Sequence, residues 1–177
     1  VKRRSKGFGG IRLTVICDSS VLIALSSIDM LNLLQYICKN ESLFIPKAVW
    51  NEVVTEGKDR PGALEVAASG WIKVKEVKNQ WIVKILVTQL DYGEAEVIAL
   101  ALEMGARLVL LDEKEAREFA RKLGLKVLGT IGLLIWAKKE GIIDNLKVYL
   151  DALQMKAGFR VSQQLYKQVL KEVNEEM

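Results

Sequence analysis

The sequence predicts an α/β fold of three layers, with helices on both faces of a central parallel sheet and extra helices at the C-terminal end. Three observations carry this expectation. The short apolar runs Leu13-Thr14-Val15-Ile16-Cys17 and Leu108-Val109-Leu110-Leu111 read as strands buried on both faces. Stretches of helical period alternate with such runs, as parallel strands joined by crossover helices require. Glycines stand where several helical stretches stop, at Gly105, Gly124, Gly141 and Gly158.

The first expected strand covers 12–17, and a helical stretch follows from Ser19 to about Lys39. It is broken near Ser26-Ser27-Ile28-Asp29, where Asp29 is placed to cap the second half. An extended piece, Leu43-Phe44-Ile45, ends at Pro46, which suits the first turn of a helix carrying Val49, Trp50, Val53 and Val54. A short helix from Ala63 to Ser69 leads through Gly70 into Trp71–Val77, whose alternation reads as a half-buried strand near a sheet edge. Residues 80–89 are helical by period. Asp91 precedes Glu94 by three, the spacing of a capping box, and opens a long helix reaching about Met104. Strand 107–111, helix 113–123 and a brief strand Lys126-Val127-Leu128 repeat the theme. From Thr130 three helical pieces follow, Ile131 to Glu140, Asp144 to about Met155 and Ser162 to about Asn174.

With 177 residues, half of them apolar, the chain is long enough for one domain with its own core. That domain is expected over 12–177, behind a basic N-terminal arm over 1–11. Lys2, Arg3, Arg4, Lys6 and Arg12 precede the first acid, and beyond residue 12 the balance is 21 basic against 22 acidic residues. The arm reads either as a frayed terminus or as a segment that tracks a phosphate backbone. Cys17 and Cys38 form no CxxC and are expected as buried thiols of an intracellular protein. No apolar run approaches the roughly 18–20 residues that span a bilayer, so a cytoplasmic location away from membranes is expected.

Asp18 and Asp112 each follow an apolar strand directly, where an open parallel sheet presents its binding crevice. Either alone reads as a helix cap, but two strands delivering acids to one sheet edge make a stronger pattern. Glu52, among Val49, Trp50 and Val53, and Glu94, just before Val97 and Ile98, are expected to be partly buried beside them. Buried like charges repel, so such a cluster implies a neutralising hard cation, Mg²⁺ or Mn²⁺. Asp91, Glu96, Glu113 and Glu115 read as caps or solvated charges. With no histidine, a histidine-dependent triad and the usual zinc sites are excluded. No GxxxxGK[ST] occurs, Gly7, Gly9 and Gly10 precede the first strand, and Ser20 stands where a DxDx[TV] phosphatase pattern needs an acid.

On these residues the chain resembles the PIN-domain family of metal-dependent ribonucleases, which includes toxins of toxin–antitoxin pairs. Val15-Ile16-Cys17-Asp18-Ser19-Ser20 is similar to the family's opening strand and first acid, and Pro46 through Glu52 to its proline-led helix with the second. Glu94 with Ile98-Ala99-Leu100-Ala101 resembles the third, and Leu108 through Asp112 the fourth. Leu90 through Glu96, Ala116-Arg117 and Gly129 through Leu134 resemble one prokaryotic branch of it. Glu113 departs from the family, where many members have aspartate or asparagine. The resemblance implies a PIN-like sheet and an Mg²⁺- or Mn²⁺-dependent ribonuclease site of Asp18, Glu52, Glu94 and Asp112, with Ser20 touching metal water or phosphate. Arg117, four residues after Glu113, reads as a helical ion pair or a phosphate contact.

The expected partners are RNA, an antitoxin protein and a second copy of the chain. Leu133, Leu134, Trp136, Leu146, Leu150, Leu153, Leu165, Val169 and Leu170 read as core, or as the apolar receiver for such a protein partner. The competing functional class is a non-catalytic RNA- or protein-binding module on the same fold.

Overall fold

The computed structural model describes residues 14–39 and 42–175; the basic arm and residues 12–13 of the expected first strand lie outside the described residues. In chain order the elements are β1 (Val15–Cys17), α1 (Ser19–Ser27), α2 (Leu33–Ile37), β2 (Leu43–Pro46) and α3 (Lys47–Trp50), which runs on into a π-helical turn, Asn51–Thr55. Then come α4 (Ala63–Ala68), β3 (Ile72–Lys75), α5 (Gln80–Leu86), α6 (Tyr92–Met104), β4 (Leu108–Leu110), α7 (Lys114–Lys122) and β5 (Val127–Leu128). Three helices close the chain, α8 (Thr130–Lys139), α9 (Leu146–Lys156) and α10 (Gln163–Glu172).

The five strands form one parallel sheet in the order β3-β2-β1-β4-β5, flanked by helices as an α/β/α sandwich. The chain builds outward from β1 through β2 to β3, then returns to the other side of β1 for β4 and β5. The order therefore reverses between β1 and β4, and the crevice beyond their carboxyl ends is the topological switch point. Cys17 is in register with Leu110, and the Asp18 amide donates to the Leu110 carbonyl at 3.0 Å. Asp18 and Asp112 thus leave the sheet at the same edge.

Burial follows the strand chemistry. Val15, Ile16 and Cys17 are fully buried, as are Val109 and Leu110, whereas only Ile72 of β3 is buried, as an edge strand demands. Helix α6 is buried continuously from Glu94 to Ala101, so it is a core helix rather than a surface one. Of the apolar residues in the last three helices, Leu133, Leu134, Leu146, Leu150, Leu153, Val169 and Leu170 are core, Trp136 is half-buried and Leu165 is exposed. Glu175 fixes their arrangement by accepting from the amides of Leu146 and Lys147 at 2.8 and 2.9 Å while pairing with Lys138 at 2.9 Å. No helix among the described residues is long and apolar enough to cross a membrane.

Two local expectations change. Asp29 does not cap α2; it takes the left-handed conformation, φ 58°, at the end of α1. The Asp29 amide donates to Ser26 and the Met30 amide to Leu25, the paired closure of a Schellman motif, in which aspartate tolerates positive φ. Pro46 is extended, at φ −74° and ψ 167°, so it ends β2 and the helix begins one residue later.

Glu96 is the buried polar tie of this half of the fold. Its carboxylate accepts from the Ala48 amide at 2.9 Å, in the first turn of α3, and from the Tyr92 hydroxyl at 3.0 Å. Glu96→Ala is expected to lower stability by about 2–3 kcal/mol, because two donors lose a charged acceptor. Tyr92→Phe should cost about 1 kcal/mol and add nothing to the Glu96→Ala background. Urea unfolding of the two single variants and the double variant measures all three values.

Candidate functional site

The four acids singled out in the sequence reach the switch point from four elements. Asp18 is the N-cap of α1 and is buried; the Ser20 amide and hydroxyl donate to its Oδ2 at 3.1 and 2.6 Å. Asp18 is therefore both the cap that its position suggested and a member of the cluster. Ser20 holds this carboxylate rather than standing free for phosphate.

Glu94 is buried at the third position of α6, where it forms the expected capping box. Its amide donates to Asp91 Oδ1 at 2.8 Å, and the Asp91 amide donates to Glu94 Oε2 at 3.2 Å. Glu52, expected to be partly buried, is exposed, because it sits on the π-helical turn that follows α3. That widened turn is a form found often at functional sites. Even so, its Oε2 stands 3.3 Å from the position a Cβ would take on Gly93, and Asp18 Oδ1 stands 3.9 Å from the same point. The missing side chain of Gly93 is what lets these two carboxylates share that space.

Asp112, beyond β4, is held from a distant part of the chain. The Thr130 amide and hydroxyl donate to Oδ1 and Oδ2 at 2.7 and 2.6 Å, so Asp112 caps α8 instead of the helix that follows it. Thr130 is fully buried and was not singled out from the sequence. A threonine at the first position of a helix whose cap residue is glycine was the available signal. Gly129 makes the approach feasible, since a Cβ there would lie 2.8 Å from Asp112 Oδ1 and 3.2 Å from both Arg117 Nη1 and the Leu111 carbonyl.

The electrostatics join these groups into one chain of like charges. Burial pushes Asp18 up to about 6 against the lowering effect of Ser20, and Glu52 adds to the rise. Burial pushes Glu94 up to about 7, with Asp91, Asp18 and Glu113 contributing. Asp112 is raised by burial, although Thr130 and Arg117 pull it down. The Cys17 thiol is raised by burial and by both Asp18 and Asp112. Among the described residues, no three of these side chains stand around a single point at metal-binding distances as they are placed. The donor set is nonetheless of the kind a hard divalent cation takes: all carboxylates, three of them oriented by hydrogen bonds and raised by burial.

Of the basic residues near Asp112 in sequence, Arg107, Lys114, Arg121 and Lys122 are exposed. Lys114 makes a 3.9 Å pair with Glu118. Arg117 forms no ion pair with Glu113 among the described residues and instead lies toward Asp112 and Gly129.

Two outcomes follow from this geometry. Gly129→Ala should destabilise the fold by about 1–3 kcal/mol through overpacking against the Asp112 carboxylate, read by urea or thermal unfolding. The raised acids also fix the sign of the pH dependence. Between pH 4 and 7 the native state holds protons at Asp18 and Glu94 that the unfolded chain has lost, so metal-free stability falls as pH rises through this window. Asp18 alone contributes at most about 3 kcal/mol of this loss. Asp18→Asn, which keeps a competent cap, should be more stable than wild type at pH 7.5 in EDTA and should flatten the profile.

A family model described as a PIN domain matches residues 14–175, nearly the whole of the described chain. A search of curated proteins finds no match. PIN domains are in general nucleases, and the five-stranded parallel sheet with its acidic switch point agrees with that family. By the extent of this match, the chain belongs to the PIN-domain family.

Proposed function

We propose that this protein is an Mg²⁺- or Mn²⁺-dependent endoribonuclease that hydrolyses phosphodiester bonds at the carboxylate cluster. The observation that carries the reading is the run of acids at the switch point, where Asp18 and Glu52 face the space beside Gly93, Glu94 feels the Asp18 charge and Asp112 leaves the sheet at the same edge, with Asp18 and Glu94 pushed up to about 6 and about 7. Such acids bind protons because nothing else neutralises them, and a divalent cation is the group that would take the protons' place.

The four carboxylates would hold the cation, which when bound activates water and stabilises charge growing on the scissile phosphate. The chain's own residues supply orientation. Ser20 fixes Asp18, the capping box fixes Glu94, and Thr130 fixes Asp112 through both oxygens. Among the bases near Asp112 in sequence, exposed Lys114 opens α7 at the same sheet edge as Asp112, whereas Arg107 precedes β4 and Arg121 and Lys122 end α7, toward the opposite edge.

The same reading extends to a cytoplasmic toxin whose partners are an antitoxin and a second copy of the chain. Its support is apolar surface left uncovered, with Trp81 and Ile85 one turn apart on α5 and both strongly exposed. A non-catalytic binding module is the second reading, favoured by the hydrogen bonds that Asp18, Glu94 and Asp112 already accept.

Purified protein is expected to cut labelled single-stranded RNA with Mn²⁺ or Mg²⁺ and not with EDTA. Asp18→Asn and Asp112→Asn should each slow cleavage by about 100-fold or more, since several kcal/mol of charge stabilisation depend on the bound ion. Calorimetry should show Mn²⁺ binding that weakens below pH 6, as protons return to Asp18 and Glu94. RNA binding without cleavage, and without Mn²⁺ binding, would establish the binding module instead.

A further inference from the structure

Arg117 is an anomaly in a cation site. Its Nη1 reaches within 3.2 Å of the point where Asp112 Oδ1 and a Cβ on Gly129 would collide, and its charge pulls the Asp112 pKa down. Yet among the described residues it forms no salt bridge, and its Nε is buried without a hydrogen-bond partner. A buried guanidinium donor left unpaired is destabilising. The residue is thus held beside a carboxylate without being satisfied by it.

A positive charge at that place also opposes the reading above, because it repels any divalent ion that Asp112 would help to bind. The conflict is resolved if the guanidinium has an anionic partner that arrives with the substrate. Its planar fork matches two oxygens of a phosphate, and the contact would be made through the two Nη groups, which are not shut off from solvent as Nε is. Helix α7 carries the residue on the β4 and β5 side of the crevice, so that contact falls beside the Asp112 end of the cluster.

We propose that Arg117 is a substrate-binding residue whose guanidinium clamps a phosphate of the RNA next to Asp112, an inference that rests on the nuclease reading. Arg117 is then unlike Arg107, Arg121 and Lys122, which are exposed and lie toward the opposite edge of the sheet.

The test uses the full chain with Arg117→Gln and Arg117→Lys. Binding of a labelled single-stranded RNA is followed by fluorescence anisotropy in Ca²⁺ over a series of salt concentrations, and Mn²⁺ affinity is measured by calorimetry without RNA. Arg117→Gln is expected to weaken RNA binding about 10-fold and to reduce the slope of log affinity against log salt by about 0.7, one phosphate contact on a single strand. Arg117→Lys should restore the slope but not the full affinity, because it returns the charge without the fork. Mn²⁺ affinity should be unchanged or tighter in Arg117→Gln. An unchanged salt slope, or a loss of Mn²⁺ affinity showing that Arg117 merely supports the acids, would overturn the proposal while leaving the nuclease reading intact. A wild-type protein that binds neither Mn²⁺ nor RNA would end both.

Discussion

Incompletely compensated negative charge at the carboxyl edge of the two central strands is the constraint on which the rest of this structure turns. β1 and β4 lie side by side in the middle of the sheet; Asp18 follows β1 directly, and Asp112 follows β4 after Leu111. Asp18 is buried there and Asp112 is half-buried, beside a helix α6 with eight consecutive buried residues. Burial alone would make such carboxylates protonate or disrupt the fold. The chain keeps them by giving each a dedicated donor set drawn from helix termini.

That device explains why caps and candidate ligands coincide. The first amides of a helix are unsatisfied donors at the positive end of its dipole, so a carboxylate there is partly solvated by protein. Asp18 uses the start of α1, Glu94 the start of α6, and Asp112 the start of α8. Three helix N-termini thus converge on one crevice, and the reading of any single acid as a cap does not compete with its membership of the cluster. The compensation is incomplete at each of the three, since burial still holds all of them above their ordinary range.

Much of this was legible in the sequence because it is local. Apolar runs ending in Asp18 and Asp112 identify central strands, and the three-residue spacing from Asp91 to Glu94 announces the capping box that the structure contains. The illegible parts depend on contacts between distant residues or on a turn without a sequence signature. The bond from Thr130 to Asp112 spans 18 positions and depends on β5 bringing Gly129 against β4. The exposure of Glu52 follows from a π-helical turn, which its neighbours Trp50 and Val53 do not announce. The expected pairing of Glu113 with Arg117 obeyed the four-residue helical rule, but the position of Gly129 opened a tertiary environment that the rule does not see.

The hydrogen bonds that hold the acids do not prevent them from acting as ligands. A carboxylate oxygen has two lone pairs, so one accepted bond leaves capacity for a second partner. Asp112 accepts one bond on each oxygen from Thr130, which fixes the plane of the group while leaving a lone pair on both. At Asp18 both Ser20 bonds converge on Oδ2, and Oδ1 is turned toward the space that Gly93 keeps open beside Glu52. Outer hydrogen bonds of this kind orient metal ligands generally and sharpen their affinity. Of the four acids Glu52 is the exposed one and has no capping bond, so it is the one free to change rotamer, whereas Asp18, Glu94 and Asp112 are each held by hydrogen bonds. A divalent ion would relieve the repulsion between Asp18 and Glu52 that the fold otherwise carries, and that relief is the force available to draw Glu52 inward.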